Sequence, residues 1–512
     1  MIPPPAPPPD GDPVRHHYAE VSYPGGAFSR THPARQAAIA RLFGLVPPPV
    51  RGARVLEIGC AQGNNLLPLA ARFPEARFVG VDFSAHEIAR GRALAADAGL
   101  DNIEFVCADL RTYDPGPDSV DYLIAHGFLS WVPDDVKSAL FALCARALSP
   151  RGLAYISYNT YPGWKQREAL RELMLLRAGP ATDPAARIAS AHAALASLER
   201  LLDGRPESHA GLNREIIASL RKKRPEHLYH DDLEGVNDPC YFLQFTAWAA
   251  EHGLAYLAEA EWETMFAELL PATARSALAE FSHDRLLLEQ HLDYLRNRTF
   301  RASLLHRAGT RLHRDPDPAA LRDCVFGTPL HPPLGLPSLA PGAPVRFGAG
   351  SPLAFESQDP LVKALFTVLS AAWPRRLAYP ELHASVRRLL AASRVDAPAD
   401  LDSPLLSRLL DACGRRLVDF LIDSGLDCAS SPTSPHAARL ARLMAARDLP
   451  VVNTWHEMIP LEAPARALLA TLDGAREHFD ATERPLLDTL AASALLEPHR
   501  ASAASVSSTP TA

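Results

Sequence analysis

Between Arg54 and Phe73 the chain reads RVLEI, then GCAQGNN, then LLPLAARF. A short apolar run stops at two glycines, Gly59 and Gly63, and the chain continues with a helical pattern. Strand, glycine turn and helix in that order point to an α/β fold, because glycine lets the backbone turn tightly and approach a ligand at the end of a strand. A turn of this kind also occurs in ordinary loops, so its neighbours carry the argument. A second strand, RFVGV, ends in Asp82, about 20 residues after the glycines, where an acid can accept hydrogen bonds from ribose hydroxyls. A helix over Ala85 to Ala98, the strand NIEFV and then Asp109 form a third unit. The strands VDYLIAH and GLAYISY flank a helical segment from Asp134 to Leu148. Strands alternating with helices predict a parallel sheet with right-handed crossovers, and ligands of such sheets sit at the strands' carboxyl ends. Glu57, Asp82 and Asp109 all fall there.

The 512 residues exceed what one core fills, since single cores stop growing near ~250 to 300 residues. The pattern divides them into a proline-rich disordered leader over 1–14, an α/β core over 15–165, a helical insertion with a further mixed region over 166–310, a proline-rich connection with at most short strands over 311–360, a mainly helical region over 361–498 and a loose tail over 499–512. Tyr241 to Glu251 reads as a helix and Gly253 to Leu257 as a sixth strand. Phe300 to His306 fits a seventh strand or a helix about equally. Beyond Pro360, LVKALFTVLSAAW, ELHASVRRLLAAS and SPLLSRLLDACGRRLVDFLIDSG read as amphipathic helices, and PVVNTWHEMIPL has the character of a β hairpin.

Charge and composition exclude several classes. A net charge of −7 gives no global basic footprint for nucleic acid. The proline-rich start does not make a signal peptide, and no window approaches the ~20 apolar residues that span a bilayer, so a cytoplasmic protein without membrane insertion is expected. Seven scattered cysteines without a close C-x-x-C pair argue against a disulfide framework or a zinc module. His227 and His230 before Asp231-Asp232 read as a solvated polar turn, and no metal is expected.

The five-unit series, with Glu57-x-Gly59-x-x-x-Gly63 at its first turn, resembles the class I S-adenosylmethionine-dependent methyltransferases, whose sheet is Rossmann-like. Tyr23-Pro24-Gly25-Gly26-Ala27-Phe28, Thr31-His32-Pro33 and the aromatic-rich loops after the fourth and fifth strands narrow this to a bacterial family that includes the rickettsial protein-lysine methyltransferases. Leu228 to Glu234, Asn237-Asp238-Pro239, Tyr241-Phe242 and Glu289 to Arg298 resemble that family's regulatory domain. Asn453-x-x-His456-Glu457 with Leu468-Leu469 and Leu472-Asp473-Gly474 resembles its C-terminal winged-helix region. The resemblance implies S-adenosylmethionine as cofactor, with Glu57 and Gly59 by the methionine, Asp82 on the ribose, and Asp109 with Leu110 at the adenine. Cys60, Ala61, Gly63, Asn64, Phe83 and His126 complete the implied cofactor contacts. Asp82 has a second reading as a helix cap, since Ser84 and a helix follow.

The acceptor side is expected after the fourth and fifth strands, at His126, Tyr158, Asn159, Tyr161 and Trp164. Neither an Asp/Asn-Pro-Pro-aromatic box nor a Pro-Cys nucleophile stands there, which removes the DNA-base methyltransferases. Tyr158, Tyr161, Trp164 and Trp131 could sleeve the stem of a lysine, and His126 could accept its proton or orient it. The alternative roles are core packing for the aromatics and a structural histidine at 126. The expected substrate is a protein lysine; a small molecule, an RNA, or a non-catalytic regulator docking a partner through the winged-helix region stays open. Nucleic acid is disfavoured as a partner, and a homodimer is left open.

Overall fold

The computed structural model describes residues 25–179, 183–266, 269–333, 335–422 and 435–497. The expected leader and tail, Tyr23-Pro24 and Cys428 lie outside them. The chain divides into two compact units, Met1–Leu321 with Leu409–Arg416, and Arg322–Arg408 with Leu417–Ala512.

In the first unit, α1 (Pro33–Leu42) precedes β1 (Arg54–Ile58), α2 (Leu66–Arg72), β2 (Arg77–Asp82), α3 (Ala85–Ala98), β3 (Ile103–Cys107), β4 (Val120–Ala125), α4 (Asp134–Ala147) and β5 (Leu148–Asn159). Four helices follow, α5 (Gly163–Ala178), α6 (Pro184–Leu201), α7 (Ser208–Arg221) and α8 (Pro225–Asp232). The chain then returns through α9 (Phe242–Glu251), β6 (Leu254–Glu259), α10 (Ala272–Leu278), α11 (Arg285–Arg296) and β7 (Phe300–Arg307). The seven strands make one sheet in the order β3-β2-β1-β4-β5-β7-β6. This is the Rossmann-like α/β sheet that the alternating pattern predicts. β1 to β5 run parallel, whereas β7 is antiparallel to both β5 and β6. Phe300–Arg307 is thus a strand, which settles the helix-or-strand ambiguity of that segment.

Burial explains the strand assignments. All six residues of β4 are buried, as expected of a parallel strand covered on both faces. Leu123, Ile156, Phe141 and Phe245 join one core between the sheet and its helices. Each such side chain contributes roughly 1.5–3 kcal/mol on burial. The strand order reverses between β1 and β4, which opens a crevice at their carboxyl ends. α3 starts at Ser84, whose side chain accepts the Glu87 N–H at 3.3 Å, and stops at Gly99 in the left-handed conformation. Ser84 is therefore the cap, not Asp82. Helices α5 to α8 bury Met174, Leu195, Ile217 and Tyr229 in a core of their own.

One buried cation ties the last strands together. Arg301 on β7 donates to Glu259 on β6 at 2.6 Å and to Asp293 and Glu289 on α11 at 2.8 and 3.1 Å, all four being buried. Its guanidinium also lies 3.9 Å from the centre of the Phe242 ring.

In the second unit, β8 (Val325–Gly327), β9 (Val345–Phe347) and β10 (Phe355–Ser357) arise from the proline-rich stretch. Phe326 and Phe347 are fully buried, so this stretch supplies core as well as connection. The helices α12 (Pro360–Ala372), α13 (Tyr379–Ala392) and α14 (Asp402–Gly414), the last grouping with the first unit from Leu409 onward, match the amphipathic pattern, with β11 (Leu377–Ala378) before α13. The third predicted helix is shorter than expected. It ends at Gly414, Arg416 takes a positive φ of 60°, and the following apolar run becomes β12 (Asp419–Leu421), which pairs with β8. Its apolar residues suit a strand as well as a helix, and the glycine decides where the helix stops. After α15 (Arg439–Ala446), β13 (Val451–Val452) and β14 (Met458–Ile459) form the expected antiparallel hairpin, followed by α16 (Ala463–Thr471) and α17 (Arg484–Ala492). Trp455, at the hairpin turn, lies under the Arg376 guanidinium at 3.5 Å.

Candidate functional site

A cavity of about 820 Å³ opens at the crevice between β1 and β4. The glycine turn forms its floor. Gly59 and Cys60 donate their N–H groups to the Val81 carbonyl at 2.8 and 3.2 Å, which bends the chain off β1 beside the end of β2. Gly59 lines the cavity with φ at 70°, and a Cβ there would lie 2.8 Å from the Phe128 ring. Gly63 also has a positive φ, but it does not line the cavity; a Cβ there would meet the Phe105 ring at 2.4 Å. The second glycine is thus required by packing on β3, and it lies outside the cavity wall where a cofactor contact was expected. Cys60, Ala61 and Asn64 line the cavity as expected. Burial drives the Cys60 thiol far up, which leaves it an inert small side chain.

The three strand-end acids all line the cavity but differ in chemistry. Glu57 is buried; its Oε1 accepts from Asn65 Nδ2 at 2.8 Å, while Oε2 has no hydrogen-bond partner among the described residues. Burial pushes its carboxyl up to about 8. Asp82 accepts the Ala61 N–H through Oδ2 and the Ser84 N–H through Oδ1, each at 2.9 Å, so it shapes both the glycine turn and the approach to α3. Burial outweighs these donors and raises its carboxyl above the usual range. Asp109 is clasped by Arg111, with Nε at 3.0 Å and Nη2 at 2.6 Å. Phe83 and Leu110 add apolar lining beside these acids.

A segment before α1 closes the other side. Asn65 Oδ1 accepts the Phe28 N–H at 3.2 Å and the Thr31 hydroxyl at 2.9 Å, and Asn64 donates to the Gly25 carbonyl at 3.0 Å. This docking brings Phe28 and Arg30 into the cavity wall. The Arg30 guanidinium pairs with Glu261 and lies over the rings of Phe28 and Phe300, at 5.7 and 5.1 Å from their centres.

The acceptor-side candidates divide. His126, Asn159 and Trp164 line the cavity, with Trp131. Tyr158 and Tyr161 do not. Tyr158 is 1% exposed, stacks on Phe245 at 4.2 Å and meets Ser303 Oγ at 3.2 Å, because its position in β5 aims it into the core under α9. Tyr161 packs on Tyr241, reaches Glu168 with its hydroxyl and carries Lys165 3.7 Å above its ring. Of the four aromatics expected there, Trp131 and Trp164 stand in the cavity wall, joined by Phe28, Phe128 and Phe300. His126 Nδ1 lies 2.9 Å from the Tyr155 hydroxyl, and its ring packs tilted against Phe28 with the ring centres 3.9 Å apart. Burial, with the Arg30 cation beside it, pushes the imidazole down to about 3. A neutral ring is thus present at any physiological pH, and it is a poor proton acceptor.

Arg30, Asn65 and Phe300, and the more distant Arg167 and Lys223 on the helical insertion, line the cavity without having been singled out in the sequence. Phe28 and Thr31 had one signal, their place in the family-like N-terminal motif. Among the described residues no group of three His, Cys, Asp or Glu side chains could hold a metal ion, and no helix is long and apolar enough to cross a membrane. Cys60, Cys107, Cys144, Cys240, Cys324 and Cys413 are free thiols.

Comparison with known proteins assigns three regions. Residues 55–152 match the family model "Methyltransferase domain", residues 224–307 "Predicted methyltransferase regulatory domain" and residues 434–504 "PKMT, C-terminal winged helix domain". The chain is 36% identical over 298 residues to the uncharacterized protein RP789 of Rickettsia prowazekii; this match covers 58% of the chain and 54% of that relative. It is 32% identical over 228 residues to the uncharacterized protein RP028 of the same organism, covering 44% of the chain and 91% of that relative. The chain thus spans about half the length of the first relative and nearly all of the second. The structure of PKMT2 from Rickettsia typhi in complex with AdoHcy has the same fold, with a TM-score of 0.82 and 23% identity over 93% of this chain and 99% of that one. From sheet order to terminal hairpin, the chain belongs to the family of class I S-adenosylmethionine-dependent methyltransferases that carry a methyltransferase regulatory domain and a C-terminal winged helix.

Proposed function

We propose that this chain is an S-adenosylmethionine-dependent methyltransferase acting on a lysine amine of a protein. The observation that carries the cofactor reading is the Glu57 carboxyl, buried beside the glycine turn with one oxygen unpartnered. A cationic ligand group at the cavity floor would complete it, and the amino group of a methionine moiety is such a group. Asp82 offers its remaining lone pairs to ribose hydroxyls, and Phe83 with Leu110 offers apolar lining for a planar base. Held there by Glu57, Asp82, Phe83 and Leu110, the cofactor would supply a sulfonium methyl group for in-line displacement by an amine lone pair, the C–S electron pair returning to sulfur.

The residues of the chain then align and desolvate. A lysine amine has an unperturbed pKa of about 10.4 and must shed its proton to react. The Arg30 cation and the apolar rings of Phe28 and Phe300 disfavour an ammonium, so they help to keep the amine neutral. Asn159, whose Nδ2 donates to Asn237 Oδ1 at 3.0 Å, and Trp164 hold the approach side rigid. Alignment at a near-attack distance of about 3 to 3.5 Å supplies most of the acceleration. The match of residues 434–504 to a PKMT winged helix supports a protein acceptor.

One observation favours a second reading. Arg30 would also suit an acidic acceptor, methylated on a carboxylate oxygen. Incubation with a labelled methyl donor and a fractionated cell extract separates the two. Label in protein that survives mild base and appears in methyl-lysine supports the proposal. Base-labile label indicates a methyl ester, nuclease-sensitive label an RNA acceptor, and no label a cofactor-binding regulator; each of these outcomes overturns the lysine reading.

A further inference from the structure

The protons around His126 can be counted. Nδ1 lies 2.9 Å from the Tyr155 hydroxyl and 3.2 Å from Ser157 Oγ. Ser157 Oγ already accepts the Gly127 backbone N–H at 2.7 Å. The Arg30 guanidinium, which only donates, neighbours the Tyr155 hydroxyl. One lone pair on Ser157 Oγ is therefore taken by a group that cannot accept in return, and the Tyr155 oxygen has a pure donor beside it. Tyr155 and Ser157 are both fully buried, so their own protons must find acceptors within the protein.

With Nδ1 as acceptor every proton is seated. The phenol donates to Nδ1, and Ser157 donates to the phenol oxygen, which it also neighbours. With a proton on Nδ1 the count fails. Whichever hydroxyl received that N–H, one of the two hydroxyl protons would be stranded without an acceptor in the group, since two hydroxyls cannot each donate to the other. A buried donor left unmade costs more than an ordinary hydrogen bond gains.

We propose that Tyr155 and Ser157 hold His126 in the tautomer that carries its proton on Nε2, so that His126 serves the bound substrate as a hydrogen-bond donor to an oxygen and takes no proton during methyl transfer. The ring lines the cavity, and its Nε2 has no hydrogen-bond partner among the described residues. The chemical class it selects is a carbonyl or carboxylate oxygen; in a peptide acceptor this is a backbone carbonyl next to the modified side chain. Aimed at an amine, the N–H would occupy the lone pair that must attack. Tyr155 is then a positioning residue, acting through His126, and Arg30 a further one, acting through Tyr155. The neutral ring imposed by burial and Arg30 agrees with this assignment. The donor role rests on the methyl-transfer reading, whereas the tautomer does not.

Two-bond proton–nitrogen correlation spectra of the full chain labelled on histidine test the tautomer, the His126 signals being those lost in His126→Gln. The expected pattern is Nε2–H at pH 7, unchanged down to about pH 5, well below the ordinary histidine pKa of about 6.5. A proton on Nδ1, or a doubly protonated ring, overturns the proposal. This readout needs no methyl acceptor, so failure of the functional reading leaves it intact. In Tyr155→Phe the His126 pattern is expected to change to a mixture of tautomers; an unchanged pattern would show that the phenol does not hold it. Activity tests the donor role, because glutamine retains an N–H donor and cannot take a proton. His126→Gln is expected to keep labelling within about tenfold of the native chain and His126→Ala to lose about tenfold more, the scale of one hydrogen bond. Equal losses in the two variants would remove the donor role.

Discussion

Asn65 Nδ2 donates to Glu57 Oε1 at 2.8 Å and leaves the second oxygen of the same buried carboxyl without a partner. Burial holds that carboxyl near 8, so it is largely protonated at neutral pH in the free protein. A cationic ligand beside it favours the carboxylate. Cofactor binding below about pH 8 should therefore release a proton, and affinity should rise as pH increases toward 8. Titration calorimetry in buffers of different ionisation enthalpy measures the release directly. Glu57→Gln should abolish it and weaken binding by about 1.5–3 kcal/mol. Binding without proton release in the native chain would remove Glu57 from the site.

The same shift has a sign for folding. The unfolded carboxyl ionises above 4.5 while the folded one stays neutral to about 8, so its contribution to stability is present below 4.5 and is lost as pH rises through 8. Glu57→Gln should flatten the decline of Tm across that window. An unchanged pH profile would mean that the carboxyl is not raised.

Asp82 holds the Ala61 and Ser84 backbone N–H groups together. Asp82→Ala should weaken the cofactor by about 1.5–3 kcal/mol, and it should lower stability as well because two half-buried donors lose their acceptor. Parallel calorimetry and urea denaturation separate the two losses. Native affinity in a folded variant would confine Asp82 to loop geometry. Gly59→Val is a poorer probe, since φ at 70° strains any branched residue whether or not a ligand binds there.

Truncations on either side of the β5 terminus should behave differently. Tyr158→Ala empties a core site against Phe245 and should cost about 3–5 kcal/mol of stability. Trp164→Ala should lower turnover roughly tenfold or more at saturating donor, the equivalent of about 1.4 kcal/mol in the barrier. Tyr161→Ala, outside the cavity wall, should change turnover far less. A turnover defect at Tyr161 equal to that at Trp164 would show that the acceptor reaches beyond the cavity.

Arg301→Met should destabilise the first unit by about 3–5 kcal/mol, because Glu259, Glu289 and Asp293 would stay buried without their cation. The urea midpoint reads this loss. A change under about 1 kcal/mol would show that water reaches the three carboxyls.

Much of this was legible in the residues because the first half obeys local rules. Strand-end glycines and short apolar runs alternating with helical segments place β1 to β4 nearly to the residue. The strand-end acids follow from that placement, since a parallel sheet brings its carboxyl ends to one edge. Trp164 and Tyr161 illustrate what local rules miss. They lie three positions apart after the same strand, and their different fates depend on α9, Tyr241 and the start of β7, all more than 70 residues away. Arg30 was hidden for a similar reason, because its place in the wall depends on Asn65 docking the segment that carries it. The strand after Gly414 was missed because Leu417 to Leu421 is apolar enough for either element, and its partner β8 lies in a proline-rich stretch that does not resemble a strand.

The antiparallel pairing of β5 with β7 has a consequence for biosynthesis. Tyr158 and Ser303 touch across that pair yet stand 145 positions apart in the chain. At ribosomal rates of about 5–20 residues per second, the edge of β5 waits roughly 7–30 s for its partner. Throughout that interval the nascent chain presents a hydrogen-bonding edge that a neighbouring nascent chain could capture. The helical insertion emerges during the wait and buries Met174, Leu195, Ile217 and Tyr229 in a core to which no β7 residue belongs, so that core can form before the sheet is complete.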